Sequence, residues 1–263
     1  MHIWTWHEWQ GLPYLTCSIL SPWRHGFFSR QFSPRSPADL VEVLEPGIPA
    51  YRTKQVHGNE VLKTTQVSPL SSEEDTPLAE ADGLLTHKPS ESVWVASADC
   101  VPVLIGDGAT GRVAAVHAGW RGTASKILPE AIAQFKQQGS QIPDLRVAMG
   151  PAISGSVYQV SKNVAVQLAA TLLLTDTATS LSEILDPLYH LSNPPLLPDP
   201  EPDRARADVR RFNALQLERL GLGADQVAIS SHCTYSQPEL FFSYRRDRLK
   251  SVQWSGIVNS SPG

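Results

Sequence analysis

SADCVPVLIGDGATGRVAAVHAGWRGT, residues 97–123, holds two apolar runs on either side of a glycine-rich turn at residues 108–111. Apolar runs bounded by turn residues read as strands, so VWVASADCVPVLIGD and RVAAVHAGW predict an antiparallel hairpin. A turn centred between Ala109 and Thr110 makes Cys100 and His117 diagonal neighbours on one face, roughly 7 Å apart. That separation suits two ligands of one metal, or a thiol and its base. A one-residue slip would send them to opposite faces, and Pro102 predicts a bulge or a sheet edge. A thiol and an imidazole converging beside Asp99, Trp120 and Arg121 have the composition of an active site.

With 263 residues, 41% of them hydrophobic and 18% charged, the chain can bury one large core or two small ones. A formal charge of -4 provides no global field to recruit nucleic acid or an anionic membrane. The first residues, MHIWTWHEWQ, lack the basic and uninterrupted apolar regions of a signal peptide, and no segment reaches the roughly 20 apolar residues of a transmembrane helix. Three scattered cysteines, Cys17, Cys100 and Cys233, are no disulfide framework. The expected setting is a reducing cytoplasm, with a monomer or homodimer both compatible.

Outward from the hairpin, Gly122-Thr123 opens a helical pattern through Ile127, Ala131, Ile132 and Phe135, stopped by Gly139. Its N-terminus, placed directly after Arg121, offers unpaired N–H groups to an anion. Upstream, residues 1–30 predict short strands anchored by Trp4, Trp6 and Trp9, and residues 35–45 a short helix. YRTKQVHGNEVLKTT predicts strands that turn at His57-Gly58-Asn59, residues 68–80 a surface loop, and Asp82-Gly83 a turn before another strand. Downstream come a buried strand in LRVAMGPAIS, a helix capped by Ser161, and a helix capped by Asp208. Residues 191–208, with five prolines, predict a surface excursion inside one domain spanning 1–263. The end reads as a strand, a loop and an aromatic-basic strand in FFSYRRD.

Each chemical candidate has a structural counterpart. Cys100 is either a buried inert thiol or, given Ser97, Asp99 and His117 nearby, a working one. His57, alone at a turn, is ordinarily solvated. Added to Cys100 and His117 it makes a His/Cys/His set whose open fourth position suits a catalytic zinc. The same donors also suit copper, although eight scattered histidines cannot house several coppers. A metal-free cysteine hydrolase, with Cys100 as nucleophile and His117 as base, fits the pair as well. Arg245-Arg246 is a solvated pair or an anion clamp beside aromatic rings, and His232-Cys233 is structural.

HGFFSR (25–30), QVHGNEV (55–61), ADGLLT (81–86), ADCVPVLIGD (98–107), AAVHAGWRGT (114–123), GPAISGSVYQV (150–160) and CTYSQPELFFSYRRD (233–247) together resemble the laccase-domain, or polyphenol-oxidase, family of YfiH-like proteins. The resemblance covers most of the chain. It implies an α+β fold of two packed mixed sheets with flanking helices, similar to the cysteine hydrolases of some bacterial toxins. It also implies His57, Cys100 and His117 as zinc ligands, in a purine nucleoside phosphorylase with adenosine deaminase activity. Purine nucleosides and phosphate would then be the partners. Arg121 joins Cys100 and His117 as a catalytic candidate, and Asp82, Asp99 and Arg245 are the candidates for binding substrate or orienting a ligand histidine. Two departures stand out: QFSPRSP replaces the glycine-rich continuation usual after HGFFSR, and Ala152 replaces a frequent cysteine.

Overall fold

In a computed structural model of the chain, which describes residues 2–70, 77–172 and 180–260, the hairpin forms in the expected register. Val101–Asp107 pairs antiparallel with Val113–Ala118, and Pro102 lies opposite His117. Pro102 marks neither a bulge nor an edge, because Val101–Asp107 is flanked on its other side by Leu145–Met149. Pairing on that side ends at Val103, and the Pro102 carbonyl accepts from Gly150 N just beyond it. The missing N–H therefore interrupts no ladder.

The architecture is α+β, with two six-stranded mixed sheets and flanking helices, as anticipated. The first sheet runs in the order Trp4–Trp9, Leu12–Cys17, His25–Phe28, Gln253–Val258, Ser92–Ser97, Ala50–Tyr51. The second runs Val227–Ile229, Leu145–Met149, Val101–Asp107, Val113–Ala118, Gly83–Thr86, Val61–Lys63. Between them pack Leu15, Phe27, Val93 and Ile257 from one side and Leu84, Leu104, Val113 and Ala115 from the other. Val103, Ile105 and Val116 point the opposite way, under Ile132 and Phe135 of helix Ile127–Gln137 and Leu217 of helix Val209–Arg219. Coverage on both faces explains why these strands are apolar throughout rather than alternating. The outer face of the first sheet is closed by helix Pro37–Leu44, and Trp4, Trp6 and Trp9 pack half-buried against the cores as anchors.

Tertiary context overrides several expectations. VWVASADCVPVLIGD is two strands: Ser92–Ser97 belongs to the first sheet, Val101–Asp107 to the second, and residues 98–100 cross between them. Residues 50–63 likewise form no hairpin, since Ala50–Tyr51 and Val61–Lys63 lie in different sheets and His57 sits on the crossover. The helix expected from Gly122 starts earlier, as Trp120–Ala124, breaks at Lys126 with φ 63°, and resumes at Ile127. Tyr244–Asp247 is a helical turn, not a strand. Helix Leu181–Tyr189, with Pro187 inside it, carried no signal that the sequence reading used. Part of the loop expected at 68–80 falls outside the described residues. No helix among the described residues is long and apolar enough to cross a membrane.

The largest correction concerns residues 191–208. Leu196–Pro198 and Arg204–Ala207 join Gln159–Ser161 in a third sheet. Leu196, Ala205 and Ala207 are fully buried against Leu168, Leu185 and Phe212. The prolines permit this because Leu196–Pro198 is an edge strand with Pro198 at its end, where a missing donor costs no pairing. Leu196→Ala is expected to lower stability by about 2–4 kcal/mol, the usual cost of a buried leucine cavity. Urea denaturation measures it, and a change near zero would return this segment to the surface.

Candidate metal centre

The two crossovers between sheets deliver the chemistry. His57 rides on the first and Cys100 on the second, while His117 closes strand Val113–Ala118 on the side that faces the first sheet. Their ligand atoms all lie within 4.8 Å of one another, and the two imidazoles meet edge to face with centroids 4.9 Å apart. His57 and Asp99 both hold positive φ, 62° and 92°. Such backbone persists in non-glycine residues only where surrounding bonds impose it.

For His57 those bonds come from Asp82. This fully buried carboxylate accepts Val56 N at 3.1 Å, His57 N at 2.9 Å and Gly58 N at 2.7 Å. It also takes His117 Nδ1 at 2.8 Å, while its own carbonyl accepts His117 N. Burial alone would raise the Asp82 carboxyl; bonds from His117, Gly58 and Val56, with the His117 charge, hold it below the ordinary carboxylate range. An ionised acceptor on Nδ1 puts the proton there and leaves Nε2 to face Cys100. Asp82 is thus neither a turn residue nor a group with capacity left for substrate. It positions His117 through its ring and His57 through its backbone.

The two glycines that bracket Trp120-Arg121, Gly119 and Gly122, have specific neighbours. A Cβ at Gly119 would stand 2.7 Å from Cys100 Sγ, and one at Gly122 would stand 2.9 Å from Gly58 O. Both ligand loops close in because there is no side chain to stop them. Burial pushes the Cys100 thiol up, but the His117 charge and bonds from His117 and His57 bring it down to about 6. His117 is conversely raised to about 9: burial opposes this, and the Cys100 charge and the Asp82 bond outweigh it. A ready thiolate and two imidazoles form a donor set that fits zinc or copper. Zinc bonds of about 2.0–2.3 Å set tetrahedral ligands roughly 3.5 Å apart, so the cluster needs only a small closure.

The remaining candidates separate clearly. Asp99 spends its carboxylate on Thr234 Oγ1 and Arg245 N, both at 2.7 Å, and its carbonyl on Ile153 N. It ties three segments to Cys100 and is not free for a substrate. Arg121 is exposed, lies in the first turn of its short helix rather than before it, and stacks 4.5 Å over Trp120. Arg246 is no solvated partner of Arg245: it binds the carbonyls of Thr234, Tyr235 and Phe241 and the Asp247 carboxylate. His232 bonds Gln237, and Cys233 accepts from Ser154 N.

Arg245 is different. Its guanidinium lies 4.7 Å over Tyr158 and gives one bond to Gln159 O, yet it has no carboxylate partner among the described residues. It lines a cavity of about 440 Å³ with Ser156, Gln159, Tyr235 and the ion pair of Arg206 and Asp199. Arg206 and Gln159 come from the third sheet, so the misread proline-rich segment builds a wall of that cavity. Tyr158, within the GSVYQV block but given no role there, is the residue that sequence reading missed. Burial, then the Cys100 charge, pushes its phenol up to about 12.

Asp82→Asn is expected to weaken zinc binding about 10- to 100-fold, the usual effect of removing the partner of a ligand histidine. Competition with a chromophoric chelator measures it. In the same assay Gly119→Ala should reduce zinc affinity while thermal stability changes little. Zinc affinity unchanged in both variants would remove the case for this centre.

Comparison with known proteins accords with this geometry. The family model described as multi-copper polyphenol oxidoreductase laccase matches residues 39–258. A Synechocystis sp. protein named purine nucleoside phosphorylase slr1573 is 48% identical over 98% of this chain and 97% of its own length. A protein of an unknown prokaryotic organism, named adenosine deaminase RL5, is 29% identical over 68% of this chain and 62% of its own. The crystal structure of YlmD from Geobacillus stearothermophilus shares the fold, with a TM-score of 0.80, 24% identity and coverage of 97% and 99% of the two chains. The family's name refers to several coppers, whereas the described residues gather one His/Cys/His cluster. With that one centre, and with the match over most of its length, the chain belongs to the multi-copper polyphenol oxidoreductase laccase family.

Proposed function

We propose that the chain is a purine nucleoside phosphorylase that holds zinc with His57, Cys100 and His117. It would convert adenosine, inosine or methylthioadenosine and phosphate to free base and ribose 1-phosphate, and deaminate adenosine at the same centre. The observation that carries this reading is a compact three-donor cluster together with an arginine, Arg245, that has no carboxylate partner among the described residues. The name of the Synechocystis relative supports the reaction class, and that of the prokaryotic relative supports the second activity.

Bound zinc would supply a Lewis acid and lower the pKa of a water toward neutrality. The chain's own residues do the rest. Asp82 keeps the His117 proton on Nδ1, so that Nε2 stays a donor of electrons. Arg245, held by its backbone on Asp99, by Gln159 O and by the Tyr158 ring, meets phosphate without reorganising. Arg121, exposed and stacked on Trp120, is the second clamp on that anion. Tyr158 stays protonated at neutral pH and offers a neutral hydroxyl to the ribose or the departing base.

A second reading has one specific observation behind it. The paired Cys100 and His117, shifted toward thiolate and imidazolium, are also the arrangement of a metal-free cysteine hydrolase acting on an amide. Metal content separates the two: stoichiometric zinc that Cys100→Ala loses supports the phosphorylase, while full activity in chelator-stripped protein supports the hydrolase.

The decisive assay is phosphate-dependent release of ribose 1-phosphate from adenosine, inosine and methylthioadenosine by zinc-loaded protein. His57→Ala should cut turnover by more than the about 10- to 100-fold that loss of an outer partner costs. Ammonia release from adenosine without phosphate reads the deaminase activity. No turnover of any of the three nucleosides would overturn the proposal.

A further inference from the structure

The motif HGFFSR and the run QFSPRSP that follows it play no part in the chemistry above. Together with residues 250–254 they enclose a cavity of about 300 Å³ against the outer face of the first sheet. Its size is at the small end of ligand sites. No residue of the His57/Cys100/His117 cluster lines it.

Its walls divide into two chemistries. Phe28, Phe32 and Trp254 give a flat apolar lining, with Phe28 and Phe32 almost wholly buried. Arg35 and Lys250 also line it, and none of the lining residues is acidic. Arg35 rests on aromatic rings, 5.6 Å from Trp9 and 6.0 Å from Phe32, and neither it nor Lys250 has a carboxylate partner among the described residues. Arg52 stacks 5.3 Å over the Trp254 ring but lies outside the lining. Asp39, the acid near the rim, is occupied in capping its helix through Ser36 N and Oγ at 2.7 and 2.9 Å.

Unpaired cations and aromatic walls favour the same kind of occupant.

We propose that this cavity is a second ligand site, for a small organic anion that joins a flat apolar body to one carboxylate or phosphate group. Arg35 and Lys250 hold the anion, and Phe28, Phe32 and Trp254 take the body. It is independent of the reaction at the metal centre.

Amide NMR spectra of the full chain, titrated with benzoate and with phenyl phosphate, test it. Saturable shifts confined to residues 29–36 and 250–254 are expected from at least one of them, and which one binds tighter identifies the head group. Benzyl alcohol, acetate and inorganic phosphate should each bind about tenfold or more weakly, since each lacks half of the recognition. R35Q/K250Q, both near the surface, should lose about tenfold in affinity while keeping the free spectrum and nucleoside turnover. The proposal falls if no probe shifts those residues, if benzyl alcohol binds as well as benzoate, if the double variant binds unchanged, or if the shifts gather at His57, Cys100 and His117.

Discussion

One buried carboxylate sets the geometry of this molecule's working end. Asp82 is sealed from solvent and accepts four donors, three from the backbone of residues 56–58 and one from the His117 ring. A buried charge is tolerable only with such saturation, and charge-assisted bonds are the strong ones. The same saturation makes the residue rigid. It fixes a loop in left-handed backbone, fixes a tautomer, and so aims two imidazoles at one thiol.

The two-sheet architecture explains where the thiol comes from. The chain passes from the first sheet to the second at residues 98–100 and, independently, between Tyr51 and Val61. Crossovers are where strand pairing lapses and backbone can take unusual torsions, so His57 and Cys100 both lie there, while His117 sits on a strand. Gly119 and Gly122 then let the crossovers approach the end of that strand within contact distance. Asp99 performs for the Cys100 loop what Asp82 performs for the His57 loop, tying it to residues 153, 234 and 245. Two aspartates, each within two positions of a strand, act as fasteners rather than reagents.

Neighbouring arginines show how position outweighs residue type. Arg246 is used up on three carbonyls and Asp247, a purely structural fate. Arg245, one residue earlier on the same helical turn, has no carboxylate partner among the described residues and lies over Tyr158, lining a cavity walled by the third sheet. That contrast, more than the presence of two basic residues, is why the proposed anion role falls to Arg245.

Much was legible in the chain itself. The hairpin register and the helix caps at Ser161 and Asp208 follow from local rules, because turn chemistry and capping depend on a few adjacent residues. What stayed hidden involves distant parts. A run buried on both faces reads alike whether it is one strand or two in separate sheets, so the crossover at Cys100 had no local signature. Prolines in 191–208 signalled a loop because composition cannot distinguish an edge strand from a connection. Asp82 looked like a turn residue, and only the fold, by burying it beneath residues 56–58 and beside His117, made it the clamp. Sequence alone determined which side chains were available and which local turns they favoured. Tertiary structure decided which of them meet, because hydrogen-bond saturation of a buried charge is a property of neighbours brought from elsewhere in the chain.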